Sequence, residues 1–499
     1  MSDKQAVQPA AQDAAPAWQP PRMVPARAVP ADDSSMQVEE IRAKIYPRSV
    51  TGVFAKWRII LVIVTQAIFY GLPWVQWGGR QAVLFDLTER KFYLFGIVLW
   101  PQDVFYLAII LIISAYGLFL FTALAGRLFC GYACPQTVYT EIFMWIERKV
   151  EGDRVARIRL DESAMSLRKF RIKATKHLLW ILIAWWTGST FIGYFSPIRE
   201  LGTELFRFEL SFWQWFWMVF YSFATWGNAG FLRESVCKYM CPYARFQSVM
   251  VDKDTFVVTY DRIRGEPRGR RSKKTIPSQV GLGDCVDCTI CVQVCPTGID
   301  IRDGLQYMCI GCGACIDACD QVMDKMNYPR GLIRYTSESG MLDRLDNKQA
   351  RKRLFKPRIY VYIGLLSIFI IGLVVSLSMR TPLRVDIVRD RGVLGREVPG
   401  GLIENVYRIQ IINMSEKDQN FAVKAVSRDI PAVTVLAGDD NSQQIAVPAF
   451  SNQWIPIVIR VPVEGSAKGL HPLTLLIENT DKTADKLSVE QDTTFFVPH

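Results

Sequence analysis

Twelve cysteines carry most of the chemistry open to this 499-residue chain, and eight of them stand in one run. Cys285, Cys288, Cys291 and Cys295 are followed at once by Pro296, and Cys309, Cys312, Cys315 and Cys319 complete the run. Each half reads C-x2-C-x2-C-x3-C. Three thiolates on a tight loop can wrap three irons of a cubane, while the fourth iron takes a remote ligand, which in two-cluster ferredoxins comes from the other half. The spacing therefore assigns Cys285, Cys288, Cys291 and Cys319 to one [4Fe-4S] cluster, and Cys309, Cys312, Cys315 and Cys295 to a second. Gly298, Gly311 and Gly313 suit loops that bring backbone N–H groups close to sulfur. All-cysteine zinc sites would show two separated C-x2-C pairs instead. The run reads as one-electron chemistry.

The other four cysteines form an internal repeat. Phe129-Cys130-Gly-Tyr-Ala-Cys134-Pro135 and Val236-Cys237-Lys-Tyr-Met-Cys241-Pro242 both read C-x3-C-P. If these segments are helical, cysteines four apart share one face, so each pair can present two thiolates to one point. The proline cannot continue a helix but suits the first turn of a new one. The stretches that follow are amphipathic enough to lie along a membrane surface. Three readings stay open for these thiols: small buried hydrophobes at helix ends, ligands of a third iron–sulfur cluster, or a catalytic soft-metal site, above all for copper. Thiolates favour Cu(I) over Cu(II), which makes reduction of copper by nearby clusters downhill. The two pairs could meet within one chain or across the interface of a homodimer.

These thiols must be positioned by membrane elements. Half of the residues are hydrophobic, with 14 Trp and 28 Phe. Five stretches have the length and apolarity of spans: Trp57 to Trp77, about Val104 to Leu124, about Leu178 to Phe195, about Phe212 to Phe231, and Tyr360 to Met379. Phe92 to Trp100 is apolar but short and is closed by Pro101, so a re-entrant or interfacial piece is expected there. Lys and Arg number 7, 11 and 22 in segments 1–56, 127–176 and 232–358, against 3 and 2 in segments 78–103 and 196–211. By the positive-inside rule the N-terminus and the ferredoxin run are cytoplasmic, and the tail after Met379 is exterior. The net charge of +11 is then a membrane signature. Basic runs such as Arg268–Lys274 and Arg351–Arg353 read as topology signals and anionic-lipid contacts rather than a nucleic-acid interface.

The expected organisation is multi-domain. It comprises a disordered cytoplasmic tail (1–55), a four-helix transmembrane core with both C-x3-C-P motifs (56–250), a two-cluster ferredoxin domain (251–358), a fifth transmembrane helix (359–379) and a C-terminal domain (380–499). That last domain has 13 Lys/Arg against 15 Asp/Glu and no cysteine. Its alternating runs Val406–Ile412, Phe421–Val426, Trp454–Ile459 and Leu473–Ile477 predict an immunoglobulin-like β-sandwich. It shows no triad or phosphate loop, and a surface or core role is expected for His471 and His499.

Taken together, GRLFCGYACPQTVYTEIFMWIERKVEGDR, VCKYMCPYARFQ, the two-cluster run, a fifth span and a sandwich with IENVYRIQIINMS resemble the FixG/RdxA/CcoG family of accessory proteins for cbb3-type cytochrome c oxidases. The resemblance implies an oxidoreductase of the bacterial inner membrane, with a periplasmic C-terminal domain. It would reduce Cu(II) to Cu(I) during oxidase assembly and pass it to a copper transporter or chaperone. The C-x3-C-P pair is also similar to that of membrane ferredoxins in nitrate and nitrous-oxide respiration. A quinol-linked relay without copper chemistry and a non-enzymatic assembly factor are the rival readings. Asp320 departs from the two-cluster pattern, where a proline often follows the last cysteine.

Overall fold

The computed structural model describes residues 44–273, 281–343 and 355–381, and 383–498 apart from short breaks. Most of the expected N-terminal tail and the basic run at 351–353 lie outside the described residues. Among the described residues three helices are long and apolar enough to cross a membrane: Val53–Trp74, Pro101–Ala125 and Pro357–Ser378. The α-helical parts of these are α1 (Val53–Gly71), α2 (Val104–Ala125) and, later in the chain, Pro357–Ser378. Between α1 and α2 lies a three-stranded antiparallel sheet, β1 (Val83–Asp86), β2 (Lys91–Leu94) and β3 (Ile97–Leu99). The apolar stretch from Phe92 to Trp100 is therefore strand rather than a re-entrant segment. Its side chains are used by protein contacts, since Val98 and Trp100 pack on Ile412 of the C-terminal domain.

After α2 come α3 (Leu128–Tyr132), α4 (Pro135–Val150), α5 (Leu167–Ile192), α6 (Phe212–Gly227) and α7 (Pro242–Met250). Helices α5 and α6 occupy the other two stretches expected to span, but neither meets the requirement alone, so five becomes three by this measure. The early turns of α5 carry Arg168, Lys169, Arg171, Lys173 and Lys176, leaving an apolar part shorter than the ~20 residues a span needs. α6 ends at Gly227, where the chain winds into a π-helix, Asn228–Leu232. The α5–α6 hairpin nevertheless meets α1 at one end, where the Tyr194 hydroxyl donates to the Phe69 carbonyl at 2.9 Å and the Tyr70 and Thr187 hydroxyls lie 2.9 Å apart. In the early turns of α5, Lys176 pairs with Glu151, just after α4, at 3.1 Å. The two helices cross closely at Gly188, where a Cβ would stand 2.6 Å from the Met218 carbonyl.

The cysteine run is framed by β4 (Val257–Tyr260), α8 (Ala314–Met326) and β5 (Ile333–Thr336), with β4 and β5 antiparallel. Helix α9 (Pro357–Ser378) then packs on α2, where the Tyr106 hydroxyl lies 3.1 Å from that of Ser376.

The C-terminal domain is the expected pair of sheets. Its strands are β6 (Leu383–Arg389), β7 (Arg396–Val398), β8 (Leu402–Asn413), β9 (Gln419–Val426), β10 (Thr434–Ala437), β11 (Gln444–Val447), β12 (Ser451–Pro462), β13 (Gly469–Asn479) and β14 (Ser488–Val497). One sheet has the order β10-β12-β8-β6, with β7 also on β8, and the other β11-β9-β13-β14. The four alternating runs all fall in long strands, and their inward residues Tyr407, Ile409, Ile457, Phe421 and Leu475 build one core. His471 is buried with Nε2 2.6 Å from the Ala467 carbonyl, a structural role, and His499 lies outside the described residues.

Candidate iron–sulfur and thiol sites

The cysteine run closes around two neighbouring cavities. The first is walled by Cys285, Cys288, Cys291 and Cys319, with Tyr260, Met323 and Ile333 around them. The second is walled by Cys295, Cys309, Cys312 and Cys315, with Val258 and Ile299. The first cavity thus gathers three cysteines from the first half of the run with Cys319 from the second, and the second gathers three from the second half with Cys295 and Cys291 from the first. Cys291 borders both cavities, so they adjoin. Cys288 is exposed, whereas Cys285, Cys291 and Cys312 are buried. Gly311 has φ +68° and lies against the Arg127 backbone, a conformation and an approach that a side chain would oppose.

Among the described residues no group of three or more His, Cys, Asp and Glu side chains is close enough to hold a single metal ion. The thiols stand around cavities instead of converging on a point. A donor set of thiols alone, around carbon-walled space, fits a multi-iron cluster. Burial pushes the Cys291 and Cys309 thiols up to about 12 and also raises Cys315 well above the usual thiol range. Without a positive centre to bind, these groups hold their protons.

The second constellation is also brought together. Cys130 lies in α3, and Cys134 is the extended residue that caps α4, whose first residue is Pro135. Cys237 lies in a π-helix, Val236–Met240, and Cys241 caps α7 in the same way, before Pro242. The cysteines of each pair therefore do not share one continuous helix. Proline disfavours helical backbone at the residue before it, which turns the second thiol of each pair out of the preceding helix. All four are half-buried. Burial, together with the charge of the neighbouring thiols of this set, pushes Cys237 up to about 12. Cys130 rises to about 11, chiefly by burial, although its Sγ reaches Gln247 Oε1 at 3.3 Å.

The sequence pattern did not single out the residues that join these sites. A Cβ on Gly131, between the first pair of cysteines, would stand 2.8 Å from the Ile310 carbonyl and 3.0 Å from Cys312 Cα. The Tyr132 hydroxyl donates to the Cys312 carbonyl at 3.1 Å. Arg127 donates to the carbonyls of Tyr307 and Ala244, tying the second-cavity loop to α7. Asp317, between Cys315 and Cys319, accepts from the backbone N–H groups of Phe54 and Ala55 at 3.2 and 2.8 Å, and so caps membrane helix α1. Arg302, on the wall of the first cavity, pairs with Asp287 and Asp300 at 2.7 and 2.6 Å. All are long-range contacts except those of Arg302, and no spacing rule marks them.

Three family models match the chain: a 4Fe-4S dicluster domain at residues 232–338, a 4Fe-4S binding domain at 107–151, and the Ig-like fold at the C-terminal end of FixG at 373–498. The nitrogen fixation protein FixG of Rhizobium meliloti is 36% identical over 476 residues, covering 88% of this chain and 90% of the relative. Protein RdxA of Cereibacter sphaeroides is 40% identical over 445 residues, covering 87% and 92%. The chain belongs to the FixG/RdxA family. Protein RdxB of Cereibacter sphaeroides, 39% identical over 426 residues, covers 82% of this chain and 89% of its own. As a family member this chain is an iron–sulfur electron-transfer protein and an oxidoreductase, associated with a membrane through its apolar helices.

Proposed function

We propose that this FixG/RdxA-family protein is a relay in the bacterial inner membrane that reduces Cu(II) to Cu(I) during assembly of a cbb3-type cytochrome c oxidase. In this reading the N-terminal segment and the cysteine run face the cytoplasm, and the β-sandwich faces the periplasm. The basic loops support that orientation by charge. It holds whether α5 and α6 cross fully or not, because they form a hairpin. Cys285, Cys288, Cys291 and Cys319 hold one [4Fe-4S] cluster, and Cys309, Cys312, Cys315 and Cys295 hold the other. When bound, the clusters supply one-electron transfer. The exposure of Cys288 supports a donor meeting the first cluster there, and the contacts of the second cavity with residues 127–132 support electrons leaving on that side.

One observation carries the proposal: the loop between Cys130 and Cys134 is pressed on the backbone of residues 310–312. That contact supports the four thiols as the place where electrons leave. Copper is the substrate there, held by thiols two at a time, and each Cu(II) takes one electron to become Cu(I), the ion that thiolates favour. A copper transporter or chaperone would take the product, with the sandwich docking a partner of the oxidase.

Cys130→Ser tests this reading. It should abolish copper reduction while the spectra of the ferredoxin clusters stay intact, and unchanged cupric reductase activity would sink the assignment.

A second reading gives Cys130, Cys134, Cys237 and Cys241 a third cluster, with copper reduced by outer-sphere transfer at the same edge. Two observations favour it: the match of a 4Fe-4S binding domain to 107–151, and thiols too far apart for a single ion. Iron analysis separates the two, with about eight irons per chain for the first and about twelve for the second.

A further inference from the structure

A cleft beside Pro296 is lined by Arg48, Arg58, Arg148 and Arg157, with Glu141 as the one carboxylate on its wall. Glu141 is shared, lying 3.3 Å from Arg148 and 3.5 Å from Arg58. Arg157 is already engaged, pairing with Glu147 at 2.8 Å and donating to the Pro47 carbonyl at 2.6 Å. Arg58 Nε is buried and has no hydrogen-bond partner among the described residues. With Arg157 matched by Glu147, the one carboxylate among the described lining residues is left to Arg48, Arg58 and Arg148, and a buried charged donor left without a partner is costly. Forked guanidinium groups fit the oxygens of a phosphate in pairs.

The depth of the cleft points to the source of that phosphate. Arg58 sits in the early turns of membrane helix α1. Its neighbour Trp57 is exposed, as is Trp145 next to Met144 on the cleft wall, and the Lys149 ammonium lies 6.0 Å from the Trp145 ring centre. Exposed tryptophan with lysine is the pattern of the headgroup layer. Basic pockets between membrane helices on the cytoplasmic side bind anionic headgroups.

We propose that this cleft binds a phosphate group, presented by the headgroup of an anionic phospholipid. The site rests on the membrane orientation given above but not on what the four thiols reduce. It also touches the relay: Val294 and Pro296 line the cleft and flank Cys295 of the second cavity. A bound anion there disfavours adding an electron next to it, so it should lower the reduction potential of the cluster in that cavity.

The test uses the full-length holoprotein with its iron content measured in every sample, so that loss of clusters is not mistaken for loss of the anion. Protein from phosphatidylcholine nanodiscs containing phosphatidylglycerol is examined by native mass spectrometry. Wild type should retain phosphatidylglycerol in preference to phosphatidylcholine, and Arg148→Gln should retain it about tenfold less. Retention of inorganic phosphate without phospholipid would support the phosphate site with the free anion as its source. Equal retention in wild type, Arg148→Gln and Arg58→Gln, with no phosphate bound, would overturn the proposal. A second readout needs no variant. The reduction potential followed by electron paramagnetic resonance should be lower in phosphatidylglycerol discs than in pure phosphatidylcholine discs, and identical potentials would count against the site.

Discussion

The Tyr132 hydroxyl and the Cys312 carbonyl, 180 positions apart in the chain, meet in a hydrogen bond of 3.1 Å. Together with Gly131 this contact sets the separation between the C-x3-C loop and the second cysteine cavity. Tyr132→Phe removes one hydrogen bond and should cost about 1 kcal/mol of stability with little change in electron transfer. Gly131→Val puts a Cβ 2.8 Å from the Ile310 carbonyl oxygen, closer than backbone allows, so the loops must part. Oxidation of the pre-reduced protein by Cu(II), followed by rapid mixing, should slow about tenfold or more in Gly131→Val. The visible spectrum of the clusters should not change.

Asp317 belongs to the ferredoxin helix but caps a membrane helix, and it stands between two cysteines that line different cavities. Asp317→Ala leaves the Phe54 and Ala55 N–H groups without this acceptor and should cost about 1–2 kcal/mol. Asp317→Asn should cost less, because the amide oxygen still accepts. Hydrogen exchange at residues 53–56 should quicken in the alanine variant and stay near wild type in the asparagine variant.

How much of this was legible beforehand depended on how local the cause was. That the eight cysteines of the run gather around two adjoining cavities agrees with their spacing, since three ligands of a cubane come from one tight loop. The long strands β8, β9, β12 and β13 followed from alternation, because one face of each is buried. The strand state of the stretch from Phe92 was not legible, because it depends on distant partners such as Ile412 against Trp100. The shortfall of α5 lies in its own basic early turns, Arg168 to Lys176, and that of α6 in the π-helix that follows Gly227. The C-x3-C-P prolines did announce new helices, but they also took Cys134 and Cys241 out of the preceding ones, so the thiols do not line up along one helix face. Arg127, Gly131 and Tyr132 sit beside the first motif, yet their partners lie far along the chain, in residues 244 and 307–312.

Glu147 is fully buried at the end of α4 and faces three cations: Arg157 at 2.8 Å, Arg233 at 2.6 Å and Lys176 at 3.9 Å. Burial alone would raise its carboxyl, but Arg233, Arg157 and Lys176 outweigh that and hold it below the usual glutamate value of 4.5. Since the folded value lies below the unfolded one, the contribution to stability is fully present above pH 4.5 and is lost as pH falls through the folded value. Thermal unfolding of the detergent-solubilised protein should therefore weaken on acidification below that point. Glu147→Gln leaves the cations without their counter-charge and should cost about 3–5 kcal/mol at neutral pH. It should also flatten this part of the pH dependence.

Arg380, just after α9, pairs with the buried Asp103 at the start of α2 and donates to the Val98 carbonyl at 2.9 Å. Asp103 also accepts from the Trp100 N–H at 3.0 Å, so one carboxylate serves the small sheet, a membrane helix and the link to the sandwich. Arg380→Met strands that carboxylate in a buried place and should cost about 3–5 kcal/mol. Replacing both partners, Arg380→Met with Asp103→Asn, removes the uncompensated charge while the amide oxygen can still accept from Trp100. The double variant should therefore be more stable than Arg380→Met alone. Melting temperatures of the two single variants and the double variant form the cycle that decides it. Strictly additive losses would mean that Arg380 and Asp103 are neighbours without a coupling between them.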